Sequence, residues 1–418
     1  VRALLAFTGS RGDAQPGILL ARELIARGHA VTLALSPNLV DFAKAHGVDA
    51  VEFGCDSAEL LRTQHEDERF RSPSPRQRMA AVLDLQRRGV AEGARDLLAL
   101  APGHHVLVTG MAGEEAAETV ARRVGLPLAA VHFFPIHPSR SVSVIAAPWG
   151  DRVPRGLNRR VWRGLRWARD AALKKPLAEF GIVKHELPHR LSIQAYDIDL
   201  FPGLAAELPD FHPVTGFPVD RDGLFGSPVD PELLAWLDAG PAPIYVGFGS
   251  MAVDDPAALV AMVRAICARR GRRLLLASGW AGIDTELSAD VAIVEQVNHA
   301  VVFPRCVAAV HHGGAGTTAA ALRAGIPQVI CSVQADQPYW GHALTKRGLA
   351  ATMPSTKLAE NTLTAALDQI ADPDVVAHAA AYAHHFTDDG VARAADQVES
   401  IAPLRFPTVE LDHAGRMQ

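Results

Sequence analysis

The chain has 418 residues, enough for two or three domains, and its 49% hydrophobic and 21% charged content describes a well-cored folded protein rather than a disordered one. Its 41 basic and 46 acidic side chains leave a net charge of −5, which gives no general electrostatic footprint for nucleic acid and disfavours a polyanion binder. Cys55, Cys267, Cys306 and Cys331 lie far apart with no CxxC pair, against a zinc knuckle or disulfide framework and for a reducing cytoplasm, and no run of 18 apolar residues spans a bilayer.

In chain order, Ala3 to Thr8 is a short apolar run that predicts a strand. Gly9 to Ala14 reads as a glycine-bearing loop, and Pro16 to Arg27 as a helix with Ile18, Ala21, Leu24 and Ile25 on one face. Val31 to Leu35 and Ala50 to Phe53 predict further strands around a helical stretch, Asn38 to Ala45. Such alternation implies parallel strands with crossover helices. Arg62 to Arg78, polar and carrying Pro73 and Pro75, reads as a mobile surface loop. His105 to Thr109, Leu128 to Phe134 and Asp197 to Phe201 are the later strands of this sheet. Arg152 to Lys175 holds nine basic residues. Read as a helix from Asn158 to Leu173, it puts Val161, Leu165, Ala168 and Ala172 on one face and Arg159, Arg163 and Arg166 on another, with Trp162 at the boundary. A basic face of this kind can lie on an anionic membrane, but it is more often a cleft wall with a solvated side.

Pro202 to Pro231, rich in Pro, Gly and Asp, marks a domain boundary. A second strand series follows: Ile244 to Gly249, Leu274 to Ser278, Ala292 to Val297, Ala308 to His312 and Gln328 to Ser332. The expected fold class is α/β, with two facing Rossmann-like, doubly wound parallel-sheet domains and an interdomain cleft. The expected limits are 1–210 and 231–395 for the domains and 211–230 for the linker, with a C-terminal segment, 396–418, packing back on the first domain.

The most informative stretch is VAAVHHGGAGTTAAALRAG, Val307 to Gly325. An apolar strand runs into His311 and His312, then Gly313, Gly314 and Gly316, with Thr317 and Thr318 opening a helix. A helix N-terminus exposes backbone N–H groups that favour phosphate oxygens, and a protonatable histidine adds a donor. A tight turn with Thr317 as helix cap is the plainer alternative. Gly314, Gly316 and Ala319 also satisfy G-x-G-x-x-A, and Asp336 lies twenty positions after Gly316, so an NAD(P)-binding oxidoreductase competes.

The segment HHGGAGTTAAALRAGIPQVI, followed by ADQPYWGHAL, resembles the donor-binding signature of family 1 nucleotide-sugar glycosyltransferases. The opening GSRGDAQP resembles the first loop of the bacterial natural-product branch and of the sterol and glycolipid branch. The resemblance implies the GT-B architecture, with the acceptor on the N-terminal domain and the nucleotide sugar on the C-terminal one. It implies that His312, Gly313, Gly314, Gly316 and Thr317 hold the diphosphate and that Gly249 and Ser250 meet it from the other side. Ser10 and Arg11 in the first loop are further donor-binding candidates, Arg11 either leaning toward the phosphates or simply solvated. Asp336 and Gln337 would bond sugar hydroxyls and Val297 would lie against the base, where the plant pattern stacks a Trp near Val294.

Asp13, in the first loop, matches the family's general base, a carboxylate that takes the acceptor proton; the bland alternative is a cap for the helix at Pro16. His132, Phe133 and His137 follow a strand and are candidates for the acceptor wall, although buried histidines with satisfied rings fit the two His positions as well. Asp197 and Asp199 form a DxD, which strand alternation explains without a metal. The implied enzyme is an inverting, metal-independent, cytoplasmic hexosyltransferase. It needs no cofactor beyond a UDP- or dTDP-hexose co-substrate and acts on a polyketide, macrolide or ansamycin type of acceptor. A sterol or glycolipid acceptor is the alternative within the family, and a non-catalytic nucleotide-sugar sensor the alternative outside it.

Overall fold

The computed structural model describes residues 1–402, apart from 73, 181–186, 227–228, 250–254, 280–282 and 334. Two open sheets carry the described architecture. The first holds β1 (Arg2–Phe7), β2 (Ala30–Leu35), β3 (Ala50–Glu52), β4 (Val106–Gly110), β5 (Leu128–His132) and β6 (Arg190–Gln194), all parallel, in the order β3-β2-β1-β4-β5-β6. The second holds β7 (Ile244–Gly247), β8 (Leu274–Ala277), β9 (Glu286–Leu287), β10 (Val291–Val294), β11 (Ala308–His311), β12 (Gln328–Ser332) and β13 (Ala350–Pro354). Its order is β13-β12-β11-β7-β8-β10-β9, with only the edge pair β9 and β10 antiparallel. Without that short edge the two sheets share one order, β7, β8, β10, β11, β12 and β13 taking the places of β1 to β6. Each reverses its winding once, between β1 and β4 and between β7 and β11. Ligands of such sheets gather beyond the strand carboxyl ends at that point.

Strands buried on both faces must be apolar on both. In β1, Leu5 and Phe7 join Ile18 and Leu24 on one side, while Leu4 and Ala6 join Val90, Leu97 and Val120 on the other. The helix Gly390–Ile401 returns from the second half and completes the first of these cores with Ala395, Val398 and Ile401. Arg27 ties it down through Asp396 at 2.6 Å and Glu399 at 3.0 Å. A further core lies between the sheets, where Tyr196, Phe201 and Phe217 pack with Ile330, Trp340 and Leu344. Full burial of a side chain such as Phe217 contributes roughly 1.5 to 3 kcal/mol, so this cluster fixes how the two halves meet.

Four stretches differ from the sequence reading. The first helix begins at Arg11, not Pro16, because Ser10 and Asp13 form a reciprocal capping box. Pro16 therefore lies inside the helix, where it has no N–H to offer the Gly12 carbonyl. Arg62 to Arg78 is not a loop: Ser57–Glu66 is a helix capped by Asp56, Glu68–Arg71 a 3₁₀ turn, and Pro75–Leu100 a long helix with proline at its first position. Asp197 to Phe201 is not a strand, since Asp197 accepts from the Asp199 N–H at 2.9 Å and caps a 3₁₀ turn, Ile198–Leu200. That local side-chain bond outcompetes a ladder. The basic helix runs Arg155–Ala178 and buries Asn158, Leu173 and Leu177, leaving Val161 and Leu165 exposed. Among the described residues no helix is long and apolar enough to cross a membrane.

Candidate active site

A cavity of about 2230 Å³ lies between the carboxyl ends of the two sheets. Ser10, Arg11, Gly12 and Asp13 after β1 and Met111 after β4 wall one side; Gly249 after β7 and His312, Gly314, Gly316 and Thr317 after β11 wall the other. Both reversal points open into one space.

The two adjacent histidines at the end of β11 do different things. His311 is buried within the sheet, its Nε2 2.8 Å from Gln328 Oε1 and its Nδ1 accepting from the Gly313 N–H at 3.0 Å. It fixes the turn, and His312 is left to face the cavity. Gly313 stands behind the lining with φ +91°, and a Cβ there would come within 2.6 Å of Ile330, so the turn requires glycine. The helix Ala315–Ala324 then starts from Gly314 with no side-chain capping bond. Thr317 is in its first turn and does not cap it. The first-turn N–H groups are therefore open to an acceptor from the cavity. Gly316 has a different reason for being glycine: an added Cβ would meet no protein atom within 4 Å, so its absence keeps the space above the helix end clear. Burial lowers His312 to about 4, and its Nδ1 is buried with no partner among the described residues. That shift favours the neutral ring near pH 7, and the protonatable histidine expected from the sequence faces the cavity. A neutral imidazole still donates one hydrogen bond, strengthened when the acceptor is a phosphate.

Opposite, Ser10 donates both its N–H (2.8 Å) and its hydroxyl (3.0 Å) to Asp13 Oδ2, while Gly12 N–H donates to Ser10 Oγ at 3.2 Å. Both Ser10 bonds fall on Oδ2 and neither on Oδ1. One oxygen anchors the helix start and the other is available for chemistry. Burial against the cleft walls raises Asp13 to about 6; the Ser10 bonds oppose that rise and the Asp336 carboxylate adds to it. Capping and a base-like position coexist in one side chain.

Asp336 and Gln337 begin the helix Gln337–Lys346 on the cavity wall. Asp336 stands at the N-cap position but caps nothing; its Oδ2 accepts from the Trp340 indole at 2.9 Å. Gln337 Oε1 accepts from Val333 N–H at 2.7 Å. Ala335, just before them, has φ +56°, a left-handed conformation that costs of order 1 to 3 kcal/mol for a residue with a Cβ and is typical of ligand clamps.

Of the other predicted residues, Val297 and Phe133 line the cavity. Arg11 also reaches it, with its guanidinium 4.9 Å from the Phe42 ring centroid instead of free in solvent. Ser250 lies outside the described residues. His132 and His137 are not among the described lining residues. His132 is buried, its Nε2 3.0 Å from Glu114 Oε2, and Gln194 Nε2 lies 3.3 Å from its Nδ1. His137 packs edge-on to His212, with ring centroids 4.7 Å apart. Sequence reasoning missed Tyr245 and His299, which meet at the cavity wall with Tyr245 Oη 3.2 Å from His299 Nε2. It also missed Leu19, Phe70, Phe134 and Phe225, an apolar lining on the first-domain side and the linker. The described residues hold no group of three His, Cys, Asp or Glu side chains able to bind a metal ion. The G-x-G-x-x-A run follows β11, the fifth strand of its sheet in chain order, whereas a dinucleotide fingerprint belongs to the first βα turn.

Residues 3–99 match the glycosyltransferase family 28 N-terminal domain, and residues 281–397 match the erythromycin biosynthesis protein CIII-like C-terminal domain. A Mycobacterium tuberculosis glycosyltransferase is 36% identical over 421 residues, covering 96% of this chain and 99% of that one. The vancomycin aglycone glucosyltransferase of Amycolatopsis orientalis is 31% identical over 440 residues, covering 98% and 100%. The chain belongs to the GT-B glycosyltransferases. Solved structures agree on the fold of this glycosyltransferase: the kitacinnamycin glycosyltransferase superposes with a TM-score of 0.70 at 20% identity, covering 96% of this chain and 99% of that one. VinC, solved with dTDP, gives 0.63 at 21%, covering 96% and 100%.

Proposed function

We propose that this glycosyltransferase moves a hexose from a UDP- or dTDP-hexose to a hydroxyl of a bulky hydrophobic natural product, with inversion and without a metal. One observation carries the reading: a carboxylate oxygen of Asp13 faces, across a single cavity, a helix N-terminus left open by Gly316. In this mechanism Asp13 accepts the acceptor hydroxyl proton as that oxygen attacks the anomeric carbon. The bond from the anomeric carbon to the diphosphate oxygen breaks, and the leaving diphosphate keeps the electron pair. The N–H groups at Gly314 to Thr317 and the His312 ring stabilise the charge that grows there, the task a metal performs elsewhere. Asp336 and Gln337 hold sugar hydroxyls, and the apolar wall around Phe70, Phe133 and Phe225 receives the aglycone.

The vancomycin aglycone relative and the dTDP complex of VinC support the acceptor class and the nucleotide class. Incubating the protein with UDP- and dTDP-hexoses and a panel of hydrophobic aglycones tests the reading by mass spectrometry. A hexose mass increment on an aglycone is the expected result. Donor binding with neither transfer nor hydrolysis would make the protein a nucleotide-sugar sensor.

A further inference from the structure

The first half of the basic helix Arg155–Ala178 carries an apolar stripe that no other part of the described chain covers. Leu157 is 50% exposed, Val161 41% and Leu165 47%, at the i, i+4, i+8 spacing of one helical face. Trp167, at 73%, is exposed on a different side of the same helix, and Trp149, at 60%, precedes the turn Gly150–Arg152 that leads into it. Arg155, Arg160, Arg163 and Arg166 are exposed around it and make no ion pair with any described residue. The acids at hand are Glu207, which shares a groove with Arg155 but accepts from Ser139, Ser141 and the Arg140 N–H, Asp170, further along the helix, and Asp151, already engaged with His342 and Lys346. The second half of the helix is anchored, with Leu173 and Leu177 in the first-domain core, and Arg169 reaches the cavity wall.

We propose that this face docks the protein on an anionic lipid surface. The helix would lie in the headgroup plane with Leu157, Val161 and Leu165 in the acyl boundary and the tryptophans and arginines at the level of the headgroups and lipid phosphates. Charge decides for lipid over a second copy of the chain. A two-fold dimer through this face would set the unpaired arginines of one copy against the same arginines of the other, and interface cores are depleted of charge. Because Arg169 links the same helix to the cavity, a docked molecule would open the apolar side of its cleft close to the membrane, within reach of acceptors dissolved there.

The test is flotation with vesicles of phosphatidylcholine plus phosphatidylglycerol, and with phosphatidylcholine alone. The protein should float with the anionic vesicles, much less with the neutral ones, and less as salt is raised. The triple variant Arg155→Gln, Arg160→Gln, Arg163→Gln should lose vesicle partitioning by at least about tenfold, given roughly 1 kcal/mol for each basic residue near such a surface. Val161→Ser with Leu165→Ser and Trp167→Ser should lose it too, at an unchanged melting temperature because all three side chains are exposed. No flotation at low salt, or undiminished flotation of both variants, overturns the proposal. A concentration-dependent dimer abolished by the same substitutions assigns the face to a second copy instead. Sugar transfer to a water-soluble aglycone does not pass through this face, so the docking surface and the transfer reaction fail or stand separately.

Discussion

Asp13 and Asp336 approach from opposite halves of the molecule, near enough that the Asp336 carboxylate adds to the burial that lifts Asp13 to about 6. In the proposed mechanism the sugar-holding residue therefore tunes the base. Asp336→Asn removes a negative charge and should move the acid limb of the kcat/KM profile to lower pH, whatever it does to the plateau. An unmoved limb would show that the two groups are not coupled.

The diphosphate end of the site yields a second expectation. Gly316→Ala adds a methyl that meets no protein atom, so the helix should melt at the same temperature or higher, alanine being about 0.5 to 1 kcal/mol the better helix former. The same methyl stands where the phosphates would lie. Calorimetry should show the affinity for dTDP or UDP falling roughly tenfold or more, about 1.4 kcal/mol. His312→Ala, by losing a donor to an ionised oxygen, should cost about 1.5 to 3 kcal/mol.

Glu114 belongs to stability. Burial would raise its carboxyl, but His132 and Arg190, the latter at 2.7 Å, hold it at about 2. A depressed carboxylate contributes stability above its ordinary range, near 4.5, that is lost as pH falls toward 2. Glu114→Ala takes the acceptor of His132 Nε2 and one of the two carboxylates that hold Arg190, Glu118 keeping the other at 2.8 Å, and chemical denaturation at pH 7 should show a loss of roughly 1 to 3 kcal/mol.

Transfer should survive excess EDTA. Asp197 is occupied by the Asp199 N–H and the Tyr382 hydroxyl, which removes it from any DxD metal site. Complete loss of activity, restored by manganese, would contradict this.

Much of the scaffold is legible in the sequence because buried parallel strands are apolar runs; Gln328–Ser332 matches its predicted limits to the residue. The start of the first helix is not, because Ser10 and Asp13 signal a helix only when read as a capping pair, and the glycines around them suggest a loop. Periodicity shows that Val161 and Leu165 share a face but not whether anything covers it. The division of labour between His311 and His312 depends on Gln328, seventeen residues on. Tyr245 and His299 meet across 54 residues, a contact that no local pattern announces.

The most direct test of the account is the pH–rate profile of the parent and Asp13→Asn with an alcohol acceptor. Folded Asp13 holds its proton more tightly than the unfolded chain does. Its contribution to stability is therefore full below about 3.8 and lost as pH rises through about 6, so the asparagine variant should melt at or above the parent at pH 8. Asparagine can still accept from the Ser10 N–H, which preserves the helix start. The account predicts a parental acid limb near pH 6, its disappearance in the variant, unchanged nucleotide affinity, and turnover lower by at least about a hundredfold. Near-parental turnover with the limb still in place would contradict it and leave Asp13 a helix-capping residue.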